Sequence, residues 1–274
     1  MVKRLIVNAD DFNTDEDRNR GIIQAARDGI VSSTSLLANI PLDDYWREEL
    51  LSTFSGIGVH LNITSGRPLT KGLKTITGND GSFMSKTTVW LKAFRRQLDL
   101  DELEQEFTAQ INRVKDAGIN PDHVDGNNHI HVFPGVAGVV ARVANETGIS
   151  RIRLPAERLF PWRLFPLRAF LKKVFIGILC LGARTVFFNA GLCFPDFFAG
   201  IHYPDVSDIE SVRKFLKLLP EGTTELMCHP GYASDSGNPF SNSCRREELH
   251  TLTNPHILVE IKNCKIKLET FSII

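Results

Sequence analysis

The chain lacks most of the features that narrow a function quickly. It has no excess charge, with Lys+Arg and Asp+Glu equal at 32 each in 274 residues. That balance removes the electrostatic reason to expect a nucleic-acid partner. It has no paired-cysteine motif: Cys180, Cys193, Cys228, Cys244 and Cys264 are odd in number and none are in CxxC spacing. This argues against a disulfide framework or a zinc-thiolate site and for reduced thiols. No signal-peptide core opens the chain, because Leu5, Ile6 and Val7 make too short an apolar run. A cytoplasmic location is therefore expected. No internal repeat and no low-complexity linker break the chain, so one domain over residues 1–274 is expected. Hydrophobic residues at 42% and charged residues at 23% suffice for a sizeable core.

One local absence is more informative. Residues 158–195 contain no acidic side chain and read as an apolar, basic insertion. The apolar centre at 174–181 is flanked by Lys172, Lys173 and Arg184 and is too short to span a bilayer. The first reading is a core-facing helix with basic ends. The alternatives are a peripheral contact with membrane or lipid substrate, or a homodimer interface.

What is present alternates between strand and helix. Strands are expected at 3–8, 33–37, 58–63, 123–133, 152–154 and 224–228. Helices are expected at 15–27, 101–117 and 134–147; Leu103, Phe107, Ile111 and Val114 give the second an amphipathic face. The alternation implies an α/β chain with a parallel sheet, and its length favours a (β/α) barrel.

Polar residues gather where these strands end, which is where parallel barrels build their sites. Asp10 and Asp11 follow the first strand; alone, a turn or helix N-cap explains such a pair. His60 interrupts an apolar strand and alone reads as a hydrogen-bonded core histidine. The segment 123–131 is stronger evidence. Period-two alternation puts His123, Asp125, Asn127, His129 and His131 on one face, a costly set to bury unless it binds something. Arg153 is suited to holding a carboxylate bidentately, or else is a surface arginine. His229 meets a turn at Pro230-Gly231 and is an acid/base candidate.

Taken in order, these segments resemble a known family. Asn8-Ala9-Asp10-Asp11-Phe12, Gly58-Val59-His60-Leu61-Asn62, His123-Val124-Asp125-Gly126, His129-Ile130-His131, Arg153-Leu154-Pro155 and Glu225 to Tyr232 are similar to the motifs of YdjC-like carbohydrate deacetylases. That family includes chitooligosaccharide and hopanoid-associated deacetylases. The resemblance implies a distorted (β/α) barrel like that of polysaccharide deacetylases and removal of an N-acetyl group from an amino sugar or glycolipid. It implies Asp11 and His60 as metal ligands, Asp10 as general base, Arg153 as the group orienting Asp10, and His229 as general acid. Asp125, His129 and His131 fall to substrate binding or to supporting the ligands. The family's third ligand is a histidine where this chain has Asn127, so Asn127 completes the site, His129 or His131 completes it instead, or the metal is lost. An amide oxygen suits Mg²⁺ better than Zn²⁺, so Mg²⁺ is favoured and Zn²⁺ is the alternative. A catalytically silent sugar- or lipid-binding relative is the rival reading.

Overall fold

The computed structural model describes residues 2–157, 167–233 and 243–274. Its strands are β1 (Lys3–Phe12), β2 (Ser33–Leu36), β3 (Gly56–Leu61), β4 (His123–Gly126), β5 (Phe197–Ala199), β6 (Gly222–Cys228) and β7 (Lys267–Leu268). The helices are α1 (Glu16–Arg27), α2 (Asp44–Thr53), α3 (Lys86–Phe94), α4 (Leu100–Asp116), α5 (Val136–Glu146), α6 (Leu167–Asn189), α7 (Ile209–Lys217), α8 (Ser243–Leu252) and α9 (Pro255–Asn263). The strands run parallel in the order β4-β3-β2-β1-β6-β5, with β7 beside the start of β1. Residues 151–157 close the curl. Val124 of β4 bridges Ile152 on one side, and Phe198 of β5 bridges Glu157 on the other. The result is a distorted barrel whose seam is an irregular segment. The strand expected at 152–154 is therefore corrected to isolated bridges.

The sheet has two unlike faces because successive side chains point to opposite sides. Leu5, Val7 and Ala9 of β1, with Val59 and Leu61 of β3, join one apolar core with Ile22 of α1, Phe107 and Ile111 of α4 and Val140 of α5. The alternate residues face inward, where Asn8, Asp10, Ser35, His60, Asp125, Arg153 and Glu225 are all buried. Small residues make room there. A Cβ on Gly58 would stand 2.3 Å from the His123 ring, so only glycine fits beneath it. His123 stacks on Phe271 at 3.7 Å and bonds Asp122 through Nδ1 at 2.6 Å, which makes it interior packing.

Two boundaries differ from the sequence reading in ways that matter for chemistry. β1 does not stop before Asp10 but runs on to Phe12, with its register broken between Ala9 and Phe12 and Asp11 at φ 72°. The bulge turns Asp11 out of the alternation. β4 stops at Gly126 instead of continuing to 133. Residues 127–132 form a tight helical turn in which Asn128 and His129 take φ of 55° and 58°. The five side chains expected on one face therefore divide: His123 and Asp125 stay in the strand, and Asn127, His129 and His131 leave it.

Candidate active site

Arg153 organises the barrel interior. Its Nη1 and Nη2 donate to the two oxygens of Asp10, each at 2.6 Å. Nη1 also lies 2.7 Å from Asp125 Oδ2, and Nε donates to Glu225 Oε1 at 2.6 Å. One fully buried guanidinium thus ties β1, β4 and β6 to the seam. Burial alone would lower its pKa, but the charges of Asp10, Asp125 and Glu225 hold it well above the ordinary value. The surface reading of Arg153 is overturned. It is Arg151 that lies at the periphery, donating to the carbonyls of Ser272 and Ile274.

His60 is oriented by the same network. Its Nδ1 lies 2.8 Å from Asp125 Oδ1, and Ser35 Oγ donates to Asp125 Oδ2 at 3.0 Å. The opposite ring nitrogen, Nε2, points at Asp11 Oδ1, 3.6 Å away. Burial works against charging the ring. Asp125, Asp10 and Asp11 overcome it and raise the pKa to about 9. For Asp11, burial works against ionisation, but His229, His60, Arg245 and Arg18 bring the pKa down to about 2.

Asp10, His60 and Asp125 bring one ligand-type atom each within 4.8 Å of one another. Asp10 is already held at both oxygens by Arg153, and Asp125 by Arg153, Ser35 and His60. The pair with room for a cation is Asp11 and His60 Nε2. Two donors at bonds of about 2.1 Å stand about 3.4 Å apart at a tetrahedral angle and about 3.0 Å apart at an octahedral one, so the 3.6 Å observed would close slightly on a tetrahedral ion and further on an octahedral one. Asp125 on Nδ1 supplies the carboxylate–histidine support that metal-binding imidazoles use.

His229 directly follows β6, with Nε2 3.9 Å from Asp10 Oδ2. Burial, then Arg245, holds its pKa down to about 4. Its backbone N–H donates to Glu248 of α8 at 2.5 Å, and Arg245 of α8 donates to its carbonyl at 3.2 Å. Arg245 also reaches Asp11 Oδ2 at 3.2 Å.

The turn after β4 separates its histidines from Asp11. His131 Nε2 meets the carbonyl of Arg153 at 3.2 Å, and its ring fills the space a Cβ on Gly126 would need. Burial pushes His131 down to about 3. The His129 ring stands edge-on to His131 and Phe198, and burial with Lys172 holds its pKa well below the ordinary value. Asn127 faces the other way, into a cavity of 470 Å³ that it lines with Asp11, Arg18, Thr64, Ser65 and Lys86. Its amide oxygen accepts from Asn128 at 2.7 Å, and its NH₂ donates to Asn62 at 3.4 Å.

Several participants had no role assigned from sequence. Glu225 was visible as the lone acid in an apolar strand. Ser35, Arg18, Arg245 and Glu248 carried no usable signal, because a hydroxyl in β2 or a charge on a helix is ordinary.

A family model described as YdjC-like protein matches residues 4–262. The chain belongs to the YdjC-like family. This YdjC-like chain is 31% identical over 275 residues to a carbohydrate deacetylase of Clostridium beijerinckii, covering 98% of each. It is 33% identical over 285 residues to a chitooligosaccharide deacetylase of Yersinia enterocolitica, covering 99% of each. Among solved structures it matches a putative cellobiose-phosphate cleavage protein from Enterococcus faecalis, with a TM-score of 0.81 and 24% identity over 100% of this chain and 99% of that one. That likeness bears on the fold alone.

Proposed function

We propose that this YdjC-like protein is a metal-dependent carbohydrate deacetylase that hydrolyses the N-acetyl amide of an amino sugar. The observation that carries the reading is that His60 meets Asp11, which lines the cavity, and His229 meets the adjacent Asp10, on the scaffold of relatives named carbohydrate deacetylase. Asp11 and His60 would hold a divalent cation, with Asn127 as the neutral third donor. That donor set favours Mg²⁺ over Zn²⁺. When bound, such an ion polarises the acetyl carbonyl and makes water more acidic.

The protein's own groups account for the proton traffic. Asp10, aimed by the bidentate hold of Arg153, takes a proton from the attacking water. The leaving amine must be protonated as the C–N bond breaks. His229, held near pKa 4, is neutral at pH 7 and becomes an acid only after receiving a proton. Asp10 Oδ2, 3.9 Å away, is the group placed to pass on the one taken from water. Acetic acid and the free amine leave, the acid passing its proton to the amine or to solvent, and both carboxylate and imidazole return to their starting states.

The second reading is a silent sugar-binding relative, favoured by Asn127, whose oxygen is already engaged by Asn128. Acetate release from N-acetylglucosamine, its β-linked dimer and N-acetylated glycolipids, with Mg²⁺, Mn²⁺, Co²⁺ or Zn²⁺, separates the two. Release that chelator abolishes and metal restores is expected. No release from any combination would leave the silent reading.

A further inference from the structure

We propose that the outward face of α6 docks this protein on a membrane surface bearing anionic lipid. Leu171, Ile178, Leu181 and Phe188 are 55%, 61%, 71% and 74% exposed. Their spacings of seven, three and seven residues put them on a single stripe of the helix. Ile176, Cys180, Ala183 and Phe187 fill the opposite side and are buried, so packing against the core does not account for the outer stripe. Isolated exposed apolar residues are ordinary, but four in register on one helix form a patch that something covers.

Charge selects the occupant. Six basic residues and no acidic one lie between positions 158 and 195, while the rest of the chain has 26 basic against 32 acidic residues. Lys172 and Arg184 are exposed on α6, and Lys173 is buried against Glu157. A second copy would bring the same positive segment against this one across a two-fold axis. An anionic headgroup layer suits both the apolar stripe and the exposed basic residues of the same helix, Lys172 and Arg184, each basic residue near it adding attraction. Among the described residues no helix is long and apolar enough to cross a membrane, so the helix would lie on the surface.

The helix is also tied to the catalytic side of the barrel. Phe175 of α6 packs on Trp90 at 5.8 Å and on Phe133 at 5.9 Å, and Phe133 directly follows the turn that carries Asn127. Lys173 reaches Glu157 at the seam, 3.5 Å away. The docking stands on this surface and does not depend on the hydrolytic reading.

The test is co-sedimentation of the full chain with vesicles of phosphatidylglycerol mixed into phosphatidylcholine, against vesicles of phosphatidylcholine alone. Binding to the anionic vesicles is expected. It should weaken as salt rises from about 0.1 M to about 1 M. The double variant Ile178→Glu/Leu181→Glu should bind at least about tenfold less. Both positions are exposed, so an unchanged circular dichroism spectrum is expected; Ile178→Gln/Leu181→Gln repeats the test without added charge. Three outcomes overturn the proposal: no binding to either vesicle, equal and salt-insensitive binding to both, or undiminished binding by the folded variants. A wild-type dimer that the same variants convert to monomer, without vesicle binding, would assign the stripe to a second copy instead.

Discussion

The two faces of the curled sheet obey opposite rules. Outward, Val7, Val59 and Leu61 meet helix residues such as Phe107 and Ile111 in a layer of apolar contacts, each of modest and separable value. Inward, Asp10, Asp125 and Glu225 converge on one arginine, and every member depends on the others being charged and in place. The outer layer supplies most of the apolar burial that favours the barrel. The inner network holds the chemistry, and it does so with groups that are costly to bury. An apolar layer tolerates substitution by degrees, whereas a buried charge network fails when one member is removed.

The largest expected effect breaks that contrast directly. Arg153→Met leaves three buried carboxylates without their cation and should cost about 3–5 kcal/mol in urea unfolding. Arg153→Lys should not restore it, since a single ammonium cannot serve the bidentate contact with Asp10 and the contact with Glu225 together. In the outer layer, Ile111→Val should cost about 0.5–1.5 kcal/mol and leave the turnover of folded protein unchanged. Comparable losses from the two positions would erase the distinction.

Next in size is His229→Ala. The side chain is part-exposed at the end of β6, so the fold should survive while acetate release falls about a hundredfold or more. Near-parental release from folded His229→Ala would remove His229 from the mechanism.

Asn127→His sharpens the contrast between the cavity and the turn beside it. If Asn127 is a ligand, calorimetric titration should show Zn²⁺, Co²⁺ or Ni²⁺ binding tighter by about tenfold or more, with less change for Mg²⁺. Unchanged affinity for all of them would exclude the position from the metal site.

The smallest effects lie in pH. His229 is neutral in the folded protein down to about pH 4, while its unfolded form takes up a proton near the ordinary 6.5. Its stabilisation is therefore complete above about 6.5 and is lost as pH falls toward about 4. His60 has the reverse sign. With its pKa raised to about 9, it stabilises fully below the unfolded value and loses that contribution as pH rises through about 9. Denaturation across pH should show His229→Gln flattening the acid limb and His60→Gln the alkaline one, each on the order of 1 kcal/mol. A His60 variant that flattened the acid limb instead would reverse the assignment.

Much of this was legible before any tertiary structure. The sequence reading located α1, α4, α5, β1, β2, β3 and β6 to within a few residues, α4 by its apolar periodicity and β1 by its continuous apolar run. The ordered motifs around Asp10, His60, Asp125, Arg153 and His229 named the groups that converge. Where local reading failed, a local rule had been extended across a break. Alternation was carried past Gly126, but the left-handed backbone at Asn128 and His129 ends the strand and sends His131 behind Arg153.

The sequence alone determined which residue types this barrel carries and in what order, because strand period, helix period and motif spacing are properties of neighbouring residues. The tertiary structure decided which of them meet. Arg153 reaches Asp10, 143 positions away, and Glu225, 72 positions away, only because residues 151–157 close the barrel between β4 and β5. Arg245 reaches Asp11 across 234 positions, from a helix with no local mark of function. Charge pairing depends on distance through space, and no periodicity along the chain encodes the seam that sets those distances.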